Sequence, residues 1–493
     1  EYAEIEVDYT VMFKLKGSRV LLVGLGSRSR AACRLLCASG ASVVAVDCKE
    51  NDALKEEAKH LAKLGAEVHL GLAKPLAKLL DGVELGVISV GGIRQTAWLR
   101  ALRKADVPVI GELELGFQQL RCLNIAVTGT NGKTPAAGLI EQVLLGAQRE
   151  TRLAGKVENP VCDAVDGSKE LDYLLLAVNS FQLELTQLFS PTVAVVTNLS
   201  PDHMDHYGNM ESYVKAKSRI FGNQQPFDWA IIQSEALAHI RSFGIEIPSK
   251  IITFSASNRR ADISLDRGLI MSRVPGWEGP LMDFSDCQLQ GAHNAEILMA
   301  ALAVGRVFRI PLEQSAEILR NHPTLPHRCE LVAEKDGVSY INDSRSTNLA
   351  ALEKSLSSIK PGHGGRPNVW LLAGGRDKAA EYHDIGPLLS QRVKAAFLMG
   401  EIRETVRAAW SLFTPCRLVD TLEEAVRQCA EMAEEGDVIL LSPASEDSSS
   451  VNGYKHRGEM FRRSVERLAG SSTEAESTGK DSSASKISPV LSR

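Results

Sequence analysis

The chain is patterned as short apolar runs set between amphipathic stretches. Arg19-Val-Leu-Leu-Val-Gly-Leu-Gly26 reads as a buried strand entering a glycine turn, followed by a helix through Ala31–Ser39 and a strand Ser42–Val46 that ends on Asp47. Leu85–Val90 repeats the pattern and reaches Gly91-Gly92. A second series runs through Ile125–Val127, Leu171–Val178, Thr192–Asn198, Ala230–Gln233 and Lys250–Phe254, with a helix beginning near Asn294. A third comprises Val338–Asn342, Val369–Leu372, Ala395–Met399 and Val438–Leu441. Strands that are apolar on both faces and alternate with helical segments predict mostly parallel sheets covered by helices on both sides. The expected fold is therefore α/β in three domains. These are a Rossmann-like domain over 1–120, a central P-loop mononucleotide-binding sheet over 121–325 and a second Rossmann-like domain over 326–470. His322-Pro-Thr-Leu-Pro-His-Arg328 reads as the last linker, because its prolines break helix. Residues 471–493 are rich in Ser, Thr, Lys and Glu, and predict a disordered tail.

Ligands of doubly wound sheets gather at the carboxyl ends of strands. The strongest such end is Gly129-Thr-Asn-Gly-Lys-Thr134, between the run Ile125–Val127 and an Ala/Leu/Gln-rich helical pattern. Glycines let backbone N–H groups approach a polyphosphate, the helix N-terminus attracts its charge, Lys133 neutralises it and the Thr134 hydroxyl can hold Mg²⁺. The spacing is shorter than the usual G-x-x-x-x-G-K-[ST], and a plain glycine-rich turn is the alternative. Pro135 falls in the first helical turn, where its missing N–H is tolerated. Gly24-x-Gly26 with Asp47 downstream resembles a dinucleotide fingerprint, but Ser29 stands where the third glycine belongs. A nucleotide-diphosphate site and Rossmann-like packing without a ligand both stay open there. A nicotinamide-linked oxidoreductase would leave Lys133, His203 and Lys217 unexplained.

Composition narrows the class. A chain of 493 residues is too long for one core, and its net charge of −5 gives no general reason to bind nucleic acid. No apolar run is long enough to span a membrane, and no signal-peptide pattern opens the chain. The nine cysteines include no C-x-x-C pair, and Cys33 and Cys37, four apart, read as one buried helix face. Reduced thiols and a cytoplasmic location are the expectation.

Several motifs then coincide in order: Thr128-Gly-Thr-Asn-Gly-Lys-Thr134, Ser180-Phe-Gln-Leu-Glu184, Asn198-Leu-Ser-Pro-Asp-His-Met-Asp205 and Tyr213-x-x-x-Lys217. Gly291-x-His-Asn294, Leu325-Pro-His-Arg328, Asn342-Asp-Ser-x-x-Thr-Asn348 and Leu441-Ser-Pro-Ala444 complete the set. Together they resemble the ATP-dependent Mur ligases of peptidoglycan precursor synthesis, and most of all the D-glutamate-adding branch, from about Gly17 to Leu468. The resemblance implies an acyl-phosphate mechanism on UDP-N-acetylmuramoyl-L-alanine, with D-glutamate as the incoming amino acid, and a monomeric protein. It implies ATP contacts at Gly129, Thr130, Asn131, Gly132, Lys133, Thr134, Asn294, Arg328 and Asp343. It implies two Mg²⁺ sites drawing on Thr134, Asn179, His203 and Lys217, with Lys217 carbamylated so that a cation becomes an oxygen donor. Lys133, His203 and Lys217 are then the catalytic set. UDP-sugar contacts fall to Leu25, Gly26, Asp47 and Gln182, and amino-acid contacts to Thr347, Lys378, Asp447 and Tyr454.

The departures from the pattern cluster near these positions. Ala177 stands where the family carries a metal-binding Glu, and Asn179, two residues on along the same strand face, is the expected substitute. Gly155-Lys-Val-Glu158 replaces Gly-Asn-Ile-Gly, Ile297 replaces a second Asn, Arg345 replaces a lysine, and Asp447 replaces a Ser. A silent homologue that binds nucleotide or UDP-sugar, and a sister ligase for another amino acid, are the competing readings.

Overall fold

The structure, a computed structural model, describes residues 13–88, 97–289, 291–322, 326–376, 382–445 and 453–477, with backbone alone for 469–477. The chain forms two compact units, Glu1–Pro323 and Thr324–Arg493.

The first unit holds two sheets. In the first, β1 (Arg19–Val23), β2 (Ser42–Val46), β3 (Glu67–His69), β4 (Leu85–Ile88) and β5 (Val109–Gly111) lie in the order β3-β2-β1-β4-β5, all parallel. The order reverses between β1 and β4, which places a crevice beside the glycine turn that follows β1. The second sheet contains β6 (Leu123–Thr128), β7 (Thr151–Ala154), β8 (Tyr173–Ala177), β9 (Val193–Val196) and β10 (Trp229–Gln233), then β11 (Lys250–Ser255), β12 (Ile263–Asp266), β13 (Leu269–Ser272) and β14 (Gly279–Asp283). Their order is β14-β13-β12-β11-β10-β9-β6-β8-β7, so β6 sits inside the sheet between β9 and β8. Side chains leave β6 and β8 alternately. Ile125, Val127 and Leu175 join the helices Lys133–Gly146 and Ala292–Val307 on one face, whereas Ala126, Leu174 and Leu176 meet Ile220 and Phe221 on the other. Burying each such large apolar side chain contributes about 1.5–3 kcal/mol. This double-sided burial is why the strands read as unbroken apolar runs.

Two hairpins were not foreseen. β12, β13 and β14 pair antiparallel, and Arg267 and Gly268 both take positive φ in the first turn. That backbone favours the twist of a two-residue hairpin, and Asp266-Arg-Gly268 was its only sequence signal.

One carboxylate joins the two sheets of this unit. Glu114, fully buried on the short helix Glu112–Phe117 after β5, accepts from Gln187, Leu188 and Phe189 N–H and from Gln118 Nε2, at 2.8–3.1 Å. The three backbone donors lie between β8 and β9.

The second unit carries β15 (Glu330–Lys335), β16 (Val338–Asn342), β17 (Val369–Gly375), β18 (Val393–Gly400), β19 (Cys416–Leu418) and β20 (Val438–Leu441), in the order β15-β16-β20-β17-β18-β19. Only β15 runs antiparallel, through an Asp336-Gly337 turn with both residues at positive φ. The helix Gly453–Ser477 packs Phe461 and Val465 against this sheet, and Lys335 Nζ donates to Leu468 O at 2.8 Å. The expectation of disorder from 471 is corrected as far as Ser477. Polar composition removes a buried face but does not forbid helix, and Ser471–Ser477 contains neither Gly nor Pro. Residues 478–493 lie outside the described residues.

Candidate functional site

The phosphate loop leaves β6 at Gly129, whose φ is +144° and where a Cβ would sit 2.0 Å from Thr197 Oγ1. Only glycine fits. Gly132, at φ +81°, caps the helix Lys133–Gly146, and a Cβ there would press on the His293 ring at 2.9 Å. The start of the helix Ala292–Val307, which bears the half-buried Asn294, is thereby brought to the loop. The loop is strapped to the end of β9: Thr130 N–H donates to Asn198 O and Asn131 N–H to Asn198 Oδ1, both at 2.9 Å. This revises the picture of the whole loop cradling phosphate through its amides. The N-cap of the helix is Gly132, which has no side chain to cap it, and the first turn opens on Lys133 and Thr134. Lys133 Nζ donates to Gly129 O at 2.8 Å and to Thr130 O at 2.9 Å.

Lys217 joins it from the helix Met210–Ser218. Its Nζ is buried, lies 4.9 Å from the Tyr213 ring centre and donates to the same Gly129 carbonyl at 2.9 Å. Burial first, and then the Lys133 cation, push the Lys217 amine well below the usual lysine range, against the pull of Asp202. His203 follows Asp202 on the loop after β9 and takes a left-handed backbone, φ +57°. Its ring stands edge-on to Phe181, which also meets His206 and Tyr207. His206 Nε2 lies 3.1 Å from Glu184 Oε2. The sequence motifs contained Asn198, Tyr213 and Glu184, but residue type alone assigned them no task.

At the end of β8 the structure gives two predicted ligands other work. Asn179 caps the helix Ser180–Leu183, its Oδ1 accepting from Gln182 N–H at 2.9 Å while Gln182 Oε1 accepts from Asn179 N–H at 3.1 Å. Gln182 is 1% exposed and its Nε2 donates to Gly155 O at 3.1 Å, so it clasps the chain rather than facing a sugar. The oxygen of Asn179 that was expected to replace a carboxylate accepts the cap hydrogen bond. Ala177 itself packs among Val127, Ala136 and Leu175, on the face of the phosphate-loop helix. Among the described residues no group of three or more His, Cys, Asp or Glu side chains forms a ready metal centre.

In the first sheet, Asp47 Oδ2 accepts from Leu25 N–H and its Oδ1 from Lys49 N–H, each at 2.9 Å, which fixes the turn through Leu25 and Gly26. In the second unit, Asp343 is buried and accepts from Ser355 Oγ, from Ser442 Oγ at 3.1 Å and from Cys329 N–H at 3.2 Å, beside Arg328. Burial raises this carboxyl to about 6, with those donors opposing the shift. The Tyr454 ring carries the Arg345 guanidinium at 4.2 Å, and Thr347 is half-buried just before the helix Leu349–Ser358. Lys378 and Asp447 lie outside the described residues, as do Gly91 and Gly92.

A lysine-bearing glycine turn between an inner parallel strand and an uncapped helix defines a P-loop, nucleotide-using enzyme of the α/β class. The Mur ligase middle domain matches residues 127–305, and the glutamate ligase domain of Mur ligases matches 327–445. The chain belongs to the Mur ligase family and is an ATP-dependent amide-bond-forming ligase. It is 34% identical over 452 residues to a UDP-N-acetylmuramoylalanine–D-glutamate ligase of Acidobacterium capsulatum, covering 91% of this chain and 96% of that one. The same enzyme of Geobacter metallireducens is 32% identical over 458 residues, covering 92% and 98%. Among solved structures, MurF ligase of Thermotoga maritima in complex with ADP shares the fold at a TM-score of 0.57 and 14% identity, covering 93% of this chain and all of that one. Among the described residues no helix is long and apolar enough to cross a membrane.

Proposed function

We propose that the protein adds D-glutamate to UDP-N-acetylmuramoyl-L-alanine in peptidoglycan precursor synthesis, as a cytoplasmic monomer. The reading is supported most by the convergence of Lys133 and Lys217 on the Gly129 carbonyl, in a chain that resembles D-glutamate ligases over nine-tenths of its length. The first sheet takes the UDP-sugar beside Leu25, Gly26 and Asp47. The second takes ATP at Gly129–Thr134 and Asn294. In the second unit Arg328 and Asp343 serve the nucleotide, and Thr347, Lys378, Asp447 and Tyr454 the amino acid. Lys133 exchanges its two loop carbonyls for phosphate oxygens. The substrate carboxylate attacks the γ-phosphorus and ADP leaves. The amine of D-glutamate then attacks the acyl carbon, loses a proton, and phosphate departs.

Two like-charged reactants must approach each other, so cations and a dry site lower the barrier. Lys217, poorly able to hold a proton where it lies, is suited to add to CO₂ as a neutral amine; the new N–C bond forms and a proton is released. The carbamate, His203 and the Thr134 hydroxyl would then hold Mg²⁺, at two sites shared with the phosphates. Mg²⁺ supplies charge neutralisation. The donor set fits that group, one carboxylate short at Ala177.

Phosphate release with ATP, UDP-N-acetylmuramoyl-L-alanine and a panel of amino acids tests the proposal, with D-glutamate expected to give the highest kcat/KM. Ala177 favours a second reading, a silent homologue, for which no amino acid would release phosphate although ATP or UDP-sugar binds.

A further inference from the structure

We propose that Tyr213 is a positioning residue for nucleotide binding, fixing the phosphate loop through its hydroxyl. Three segments meet at this side chain, which is 1% exposed. The Thr130 hydroxyl of the phosphate loop donates to Ser200 O at 3.0 Å and accepts from Ser200 N–H at 3.0 Å. Its single proton is thereby spent, so in the 3.0 Å contact between Tyr213 and Thr130 the phenol is the donor. Ser200 lies three residues before His203. The ring of Tyr213 carries the Lys217 amine, one turn on along the same helix. The Thr130 hydroxyl thus ties the phosphate loop to the His203 segment through Ser200, the phenol ties it to the helix Met210–Ser218, and the ring seats the lysine that shares Gly129 O with Lys133.

The phenol makes a third bond at the Thr130 hydroxyl, beside the two to Ser200, and the Thr130 amide is already bonded to Asn198 O. Without the phenol proton, Thr130 keeps its bonds to Asn198 and Ser200, but the loop loses its bond to the helix Met210–Ser218 that carries Lys217. The amides of the next turn would then meet the phosphates less well ordered. This inference rests on the assignment of ATP to the loop, and on the carbamylated Lys217 only for its second readout.

The test uses the full chain and Y213F, which keeps the ring. Calorimetric Kd for Mg²⁺-ATP, a readout that needs no turnover, is expected to rise about three- to tenfold, the effect of one lost hydrogen bond. The UDP-sugar Kd should stay at the wild-type value. T130A, which also removes the two bonds to Ser200, should weaken ATP at least as much, and Y213F in that background should add nothing further. An unchanged ATP Kd in Y213F, or additive effects in the double variant, would overturn the proposal. So would a loss of thermal stability with equal weakening of both ligands, which marks a general packing role. Carbon-13 NMR of the chain in labelled bicarbonate separates the two readings. A carbamate signal in wild type that persists in Y213F agrees with a seat supplied by the ring. If wild type binds ATP but gives no carbamate, the Lys217 reading fails and the Tyr213–Thr130 tether is still judged by the ATP Kd.

Discussion

Lys217 is an amine placed where a positive charge is costly: among the described residues no carboxylate is hydrogen-bonded to it, and a second lysine shares its acceptor. Burial of such a group favours the neutral amine over the ammonium ion. At the proposed Mg²⁺ site, Ala177 in place of the family's Glu would leave one charge fewer for a divalent ion to use. Ala177→Glu is expected to lower the Mg²⁺ concentration for half-maximal phosphate release and to raise kcat, about ten- to hundredfold, because one charge-assisted ligand contributes about 1.4–3 kcal/mol. Steady-state rates against Mg²⁺ for both proteins measure this. No change in either parameter would mean that position 177 does not limit metal use.

At the scale of elements, the short helix Ser180–Leu183 depends on its capping box. Asn179→Ala should cost about 1 kcal/mol of stability in denaturant unfolding and leave the Mg²⁺ dependence of turnover where it is. A shifted Mg²⁺ dependence would restore Asn179 as a ligand. This residue shows where the sequence stops being legible. Asparagine at a strand end serves equally as cap or ligand, and only the position of Gln182 N–H decides between them. The inner strands were readable because both faces are buried, so β2 and β16 fall on the residues expected. The hairpin β12–β14 was not, because its strands are short and half-polar and its turn lacks the Asn-Gly or Asp-Gly pair. The P-loop, Lys217 and His203 were legible as motifs, and the Asn198 strap and the Tyr213 tether only as geometry.

On the scale of the molecule, buried carboxylates set how stability responds to pH and to cutting. Asp343 titrates near 6 in the folded second unit and near 3.8 when unfolded. Between those values the unfolded chain releases its proton first, so the contribution of this group is fully present below pH 4 and is lost as pH rises through 6. The stability of wild type minus that of D343N should fall by an amount on the order of 2–3 kcal/mol between pH 4 and 7. A flat difference would show that Asp343 ionises normally. In the first unit, Glu114→Ala strands three buried N–H groups and should destabilise the chain by about 3–5 kcal/mol in urea unfolding. A loss under 1 kcal/mol would mean water replaces the carboxylate. The same four bonds bear on how this architecture can be taken apart. Gln187, Leu188 and Phe189 amides should exchange with deuterium in step with the core of both sheets, as one cooperative block. A first sheet grafted alone onto another protein would carry Glu114 without its donors. The half built on the first sheet is therefore no interchangeable module, and successful recombination between relatives should cross over near Pro323 rather than near residue 120.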